Sequence, residues 1–208
     1  MSERTEIRIV AGSLRGRKIQ CVVHPGMRPT PQMVREALFS ILGNAVPDRV
    51  FYDIFAGTGV VGLEAVSRGA TSSRFIEADA KQATAIQKYA VQFDVARQVQ
   101  VLRADVYRWA ERWIPPGSAP VNLFLSPPFP DLSERADEFL KLIDDLLERA
   151  PDESVLTIQA EDGFPIERLP FGDQWDIRRY GRNMLLFLVV SRPAKAPPVE
   201  LAADSLPT

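Results

Sequence analysis

Hydrophobic positions along the chain follow two rhythms. Short apolar runs stand at Val50 to Ile54, Arg74 to Glu77, Val99 to Leu102, Val121 to Leu125 and Ser154 to Gln159, each too short for a helix and rich in residues that suit buried strands. Longer segments lie between them. Val60, Val61, Leu63, Ala65 and Val66 repeat at helical spacing, and so do the apolar positions of Lys81 to Phe93, Asp105 to Trp113 and Glu134 to Arg149. Strand alternating with helix predicts βαβ units, a largely parallel sheet and helices on both of its faces.

Both ends of the chain depart from this rhythm. Residues 7–23 break at Gly12-Ser13 and Gly16 and predict two short strands joined by a turn. A helix is expected after them, with Thr30 as its N-cap, Pro31 at its first position, and Met33, Val34, Ala37, Leu38, Ile41 and Leu42 facing the core until Gly43-Asn44. Near the other end, Trp175 to Tyr180 and Met184 to Val190 flank Gly181-Arg182-Asn183 with no helix between, a hairpin signal. The whole predicts an α/β Rossmann-like fold: a seven-stranded, mostly parallel sheet with a C-terminal antiparallel hairpin, preceded by a small hairpin and helix. Three segments are expected: an extension at 1–45, the main domain at 46–191, and a disordered Pro/Ala-rich tail at 192–208.

Composition narrows the chemistry. One cysteine, Cys21, and one histidine, His24, leave no intrachain disulfide and no Cys/His metal cluster, and no clustered carboxylates suggest a metal. No apolar run is long enough to span a membrane, and the first residues, MSERTEIRIV, hold no hydrophobic signal core. A cytoplasmic monomer is expected. Net charge is −2, yet residues 1–50 hold eight basic side chains against four acidic ones, +4, so the remainder carries −6. Arg15, Arg17 and Lys18 fall at the first turn, Arg28 lies before the helix and Arg35 on its more polar face. Such a front suits a polyanion such as RNA; a solvated basic surface is the simpler alternative.

Candidate chemistry begins after the first strand of the repeating part. Asp53-Ile54-Phe55-Ala56-Gly57-Thr58-Gly59 passes directly into a helix, with glycines that let backbone approach a ligand and a helix start that offers free N–H groups. Gly57-x-Gly59-x-x-Gly62 fits a dinucleotide fingerprint, and Glu77 lies about 20 residues on, where a ribose-binding carboxylate is expected. NAD and S-adenosylmethionine both satisfy this motif.

Ser126-Pro127-Pro128-Phe129, after the fourth strand, separates the two cofactors. Consecutive prolines donate no N–H, so a rigid turn rich in acceptors results, and Phe129 adds a plane on which a base can stack. An exocyclic amine needs such acceptors if its lone pair is to face a methyl donor. Alone, Pro-Pro more simply ends a strand.

Together these blocks resemble the RsmD family of bacterial small-subunit ribosomal RNA guanine-N2 methyltransferases. The resemblance runs from about Ile7 to Val190 through RIVAGSLRGRKI, GMRPTPQMVREALFSIL, DIFAGTGVVGLEAVSRGA, FIEAD and the Pro-Pro-Phe turn. It implies a class I methyltransferase fold, S-adenosylmethionine as cofactor, and a guanine of 16S ribosomal RNA, within an assembling small subunit, as target. By the same resemblance Asp53, Phe55, Ala56, Gly57, Thr58, Gly59, Glu77 and Asp105 would hold the cofactor, with Asp105 near the adenine amine or a simple N-cap. Ser126, Pro127, Pro128 and Phe129 would form the catalytic turn, with Arg28 and Thr30 close by. The family usually has Asp or Asn where this chain has Ser126. That departure leaves two alternatives open: an amino-methyltransferase acting on another base or on DNA, and a catalytically weak, cofactor-binding RNA or ribosome-assembly protein.

Overall fold

A computed structural model describes residues 3–23, 28–161 and 163–192. The expected tail lies outside them from residue 193 onward, as does His24. Strands β1 (Glu3–Arg8) and β2 (Lys18–Val23) pair antiparallel, with Ile7 opposite Ile19. Helix α1 (Gln32–Leu42) follows. The repeating part is β3 (Val50–Ile54), α2 (Val60–Ser67), β4 (Ser72–Glu77), α3 (Ala80–Gln92), β5 (Val99–Arg103), α4 (Val106–Ala110), β6 (Val121–Leu125), α5 (Asp131–Glu134), α6 (Ala136–Arg149) and β7 (Val155–Glu161). Strands β8 (Asp176–Tyr180) and β9 (Asn183–Val189) complete it. No helix among the described residues is long and apolar enough to cross a membrane.

The seven strands lie in the order β5-β4-β3-β6-β7-β9-β8. All neighbours from β5 to β7 are parallel, and β9 runs antiparallel to both β7 and β8. Consecutive strands build outward from β3 on one side and from β6 on the other, which makes the β3/β6 boundary the topological switch point. Ligands of open α/β sheets bind there, outside the carboxyl ends of the strands.

Burial on both faces explains the nearly continuous apolar strands. Alternate residues separate two cores. Phe51, Phe75 and Phe124 meet α1, α2 and α3 on one face, while Tyr52, Ile54, Ile76, Leu123 and Leu125 meet α4 and α6 on the other. Ile9, Leu14 and Ile19 of the N-terminal hairpin belong to the first of these cores. The hairpin turn is anchored on the end of α2, where Ser67 accepts from the amides of Ser13 (2.7 Å) and Leu14 (2.8 Å).

Three local expectations differ from the structure. Thr30 does not cap α1: Pro31 occupies that position with no side-chain bond, and the Thr30 hydroxyl donates to Gln159 Oε1 at 2.7 Å. Met33 is 57% exposed and Ile41 38%, because the buried stripe of α1 runs through Val34, Leu38, Phe39 and Leu42. The helix expected from Glu134 is broken at Arg135, between α5 and α6.

Candidate functional site

The loop after β3 is shaped by three carbonyl or carboxylate anchors. Ala56 N donates to Ile76 O (3.1 Å), Gly59 N to Ala56 O (2.8 Å), and Gly57 N to Glu77 Oε2 (2.7 Å). Gly59 has φ 70°, and a Cβ there would lie 2.6 Å from Ile86 Cγ1. Gly62 answers a different need, since its Cβ would meet the Phe75 ring at 2.3 Å; it lets α2 settle on β4. Phe55 also has positive φ, 66°, a conformation costing a non-glycine residue on the order of 1–3 kcal/mol. Its ring is held between Tyr107 and Phe139, at centroid distances of 5.7 and 6.5 Å.

Two carboxylates back this loop. Asp53 is 1% exposed, and its Oδ2 accepts from Gly62 N at 2.9 Å, inside the first turn of α2. The helix start is therefore partly capped from the neighbouring strand instead of offering all its amides. Burial pushes the Asp53 carboxyl up to about 7, opposed by the Gly62 amide and assisted by the charge of Glu77. Glu77 also lies above the usual carboxylate range through burial, although the amides of Asp79 and Gly57 pull it down. One backbone N–H occupies each of its oxygens, from Gly57 and Asp79, both at 2.7 Å. Each oxygen keeps a further lone pair for a ligand hydroxyl.

Across the switch point, the turn after β6 carries the second motif. Ser126 N donates to Ile54 O at 3.2 Å, which ties the turn to the end of β3. Pro128 O accepts from Asp131 N (2.9 Å), whereas among the described residues nothing donates to Pro127 O. The Phe129 ring carries the Arg28 guanidinium 5.5 Å from its centroid, and Arg28 also pairs with Glu161 at 3.2 Å.

Both motifs line one cavity of about 450 Å³. It gathers Asp53, Phe55, Ala56, Gly57, Thr58, Glu77, Asp105, Ser126, Pro127, Pro128 and Phe129, together with Arg28 and Thr30 from the N-terminal segment. Asp105 caps α4, accepting from Arg108 N at 3.0 Å, and also lines the cavity. Gly59, expected to touch the cofactor, shapes the loop from behind.

The basic front divides. Arg15, Arg17 and Lys18 lie outside the cavity, beyond the far end of α2, a helix of eight residues and so about 12 Å long. Arg17 sits 5.9 Å over the Phe93 ring and Lys18 pairs with Glu6 at 2.8 Å. Arg35 is a correction: it is not on a polar face but 1% exposed. Its guanidinium pairs with the fully buried Glu64 (3.2 Å) and donates to the carbonyls of Thr30 (2.7 Å) and Arg8 (2.9 Å), so no part of it is left for RNA.

Several residues at or behind the cavity were not singled out in the sequence. Tyr107 donates to Asp131 Oδ2 at 2.7 Å, and Arg135 stacks over its ring at 3.8 Å. Burial, then the hydrogen bond and charge of Asp131, hold the Tyr107 phenol above its ordinary value. The one available signal was the position of Tyr107 two residues after Asp105. Behind the Pro-Pro turn, Gln159 Oε1 accepts from Thr30 and from Ser126 Oγ (3.3 Å), while its Nε2 donates to Asn183 Oδ1 (3.2 Å). In the sequence Gln159 is merely the last polar residue of a strand. No group of His, Cys, Asp and Glu among the described residues is arranged to hold a metal ion.

Residues 7–189 match the family described as conserved hypothetical protein 95. The ribosomal RNA small subunit methyltransferase D of Buchnera aphidicola (from Acyrthosiphon pisum) is 31% identical over 128 residues, which are 61% of this chain and 65% of that relative. A solved structure, the putative methyltransferase yhhF from Escherichia coli, superposes with a TM-score of 0.73 at 28% identity, covering 90% of this chain and 99% of its own. An RNA methyltransferase from Salinibacter ruber, solved with S-adenosyl-L-homocysteine, superposes with a TM-score of 0.57 at 18% identity over 82% of this chain and 98% of its own, a likeness of fold alone.

Proposed function

This chain belongs to the conserved hypothetical protein 95 family, the RsmD family of S-adenosylmethionine-dependent ribosomal RNA methyltransferases, and from that membership we propose that it methylates the exocyclic N2 of a guanine in 16S ribosomal RNA. The observation that carries this reading is the meeting of a glycine loop and an acceptor turn at one switch-point cavity. A dehydrogenase would need the loop but not the turn.

The residues present suit the cofactor. Glu77 has lone pairs for ribose hydroxyls. Phe55, Ala56, Val106 and Tyr107 make an apolar and aromatic wall for a base. The buried Asp53 carboxyl suits a cationic ligand. When bound, S-adenosylmethionine supplies an electrophilic methyl group on a sulfonium, which departs as a neutral thioether. The chain's own part is positioning. Ser126, Pro127 and Thr30 offer oxygen acceptors to the N–H groups of an amine, Phe129 offers a ring face to the base, and the closed Pro-Pro turn keeps the acceptors in place. The amine nitrogen forms the new N–C bond as the S–C bond breaks, and its surplus proton passes to water. No strong base is required, because an alkylated, positively charged amine is a strong acid.

The substrate and its setting belong to the same proposal: ribosomal RNA or an assembling small subunit, in the cytoplasm. Ser126 alone favours a second reading, an amine on another base or on DNA. The test incubates the purified protein and labelled cofactor with immature 30S particles, free 16S RNA and DNA, followed by nucleoside mass spectrometry. N2-methylguanosine in an RNA arm is expected. Methylated adenine or cytosine would favour the second reading, and calorimetric binding of S-adenosylhomocysteine with no transfer would favour a non-enzymatic assembly protein.

A further inference from the structure

A hydroxyl group has one proton and two lone pairs, so Thr30 and Ser126 can each present either character to the cavity. A carboxylate could only accept. Which character the hydroxyls show decides whether an amine can be held, since its two N–H groups need acceptors and its lone pair must stay free. Both hydroxyl protons go to the same atom. Gln159 Oε1 takes the proton of Thr30 at 2.7 Å and that of Ser126 at 3.3 Å. Gln159 is 4% exposed and Thr30 6%, so water competes little for the Thr30 bond, while the Ser126 bond is partly buried. In this orientation Nε2 donates to Asn183 Oδ1 at 3.2 Å, so both ends of the amide are engaged. Arg35 fixes the Thr30 backbone as well, through its carbonyl at 2.7 Å.

We propose that Gln159 is a positioning residue for methyl transfer: by drawing in both hydroxyl protons it leaves Thr30 and Ser126 facing the cavity as acceptors for the target amine. The carbonyl of Pro127, to which no described residue donates, stands on the same turn. Three elements then contribute to one amine site, the segment before α1, the turn after β6 and the strand β7. The inference rests on the methyltransferase reading above. It adds that selection for an N–H donor is imposed from behind the cavity, by a side chain that itself lines none of it.

The test compares wild type with Gln159→Met, which keeps the length and loses both acceptor and donor, and Gln159→Glu, whose carboxylate still accepts both hydroxyl protons. Steady-state transfer to 16S RNA and calorimetry with S-adenosylhomocysteine are measured for each. Gln159→Met is expected to lower kcat about 10- to 100-fold, with KM for RNA and cofactor affinity within about twofold of wild type, and Gln159→Glu to restore most of the rate. An unchanged kcat in Gln159→Met, or equal loss in both variants, overturns the inference. If Gln159→Met does not fold, Thr30→Val and Thr30→Ser decide: a loss confined to the valine variant supports the proposal, and equal rates overturn it. Wild type in the same assay separates the two levels, for a wild type that transfers no methyl group removes the functional reading itself.

Discussion

Replacing Asp53 by asparagine isolates the cost of keeping a buried charge beside the glycine loop. The amide side chain of Asp53→Asn would have nearly the same shape and would still accept from the Gly62 amide, so the cap on α2 survives while the charge is lost. In wild type the carboxyl moves from 3.8 to about 7 on folding, which corresponds to about 4 kcal/mol of unfavourable charging. Its direction with pH follows from linkage. The folded state holds the proton more tightly than the unfolded one, so the stabilisation from that bound proton is present in full below pH 3.8 and is lost as pH rises through about 7, where the charging cost replaces it. An asparagine has nothing to titrate. The stability of Asp53→Asn relative to wild type should therefore grow by about 2 to 3 kcal/mol between pH 5 and pH 8. Urea unfolding of the ligand-free proteins, followed by tryptophan fluorescence, measures it, and the difference between the two proteins removes the titrating groups not coupled to Asp53, leaving only the smaller share that comes through Glu77. A gap that stays constant or narrows as pH rises would refute the burial argument.

Gly62→Ala should lower stability by about 1–3 kcal/mol, because the added methyl meets the fully buried Phe75 ring; a melting temperature equal to wild type would contradict that packing. Phe129→Ala should reduce turnover on RNA while leaving S-adenosylhomocysteine affinity intact, and equal loss of both would place the ring in cofactor binding or in the fold. Arg15→Ala combined with Arg17→Ala should weaken RNA binding and flatten its salt dependence by about 0.7–0.9 in log–log slope per lost phosphate contact. Identical slopes would leave these two arginines as a solvated surface.

The parallel sheet was legible because its strands are short, apolar and separated by long amphipathic segments, a pattern few other folds require. The glycine loop was legible for a similar reason: AGTG between strand and helix has a local backbone demand. Arg35 was harder, since arginine is usually exposed. Its place four residues before Phe39 and three before Leu38 put it on the apolar stripe of α1, but only the tertiary arrangement supplies the buried Glu64 that makes such a charge tolerable. Gln159 was invisible for a related reason. Its partners Thr30, Ser126 and Asn183 are 129, 33 and 24 residues away in the chain, and no local pattern records hydrogen bonds at that separation.

Helix α2 touches nearly everything of consequence. Asp53 grips its first turn beside the glycine loop, Glu64 in its middle holds Arg35 and through it the Thr30 carbonyl, and Ser67 at its end anchors the N-terminal turn. A single rigid rod thus underlies the cofactor loop, one wall of the base site and the basic hairpin. Under the proposed function, a pull of the cofactor on this rod would reach the hairpin and wall proposed to meet RNA, and RNA would return the same free energy to cofactor binding, since coupling between two sites is reciprocal. The strength of that coupling would then be set by how firmly α2 is seated.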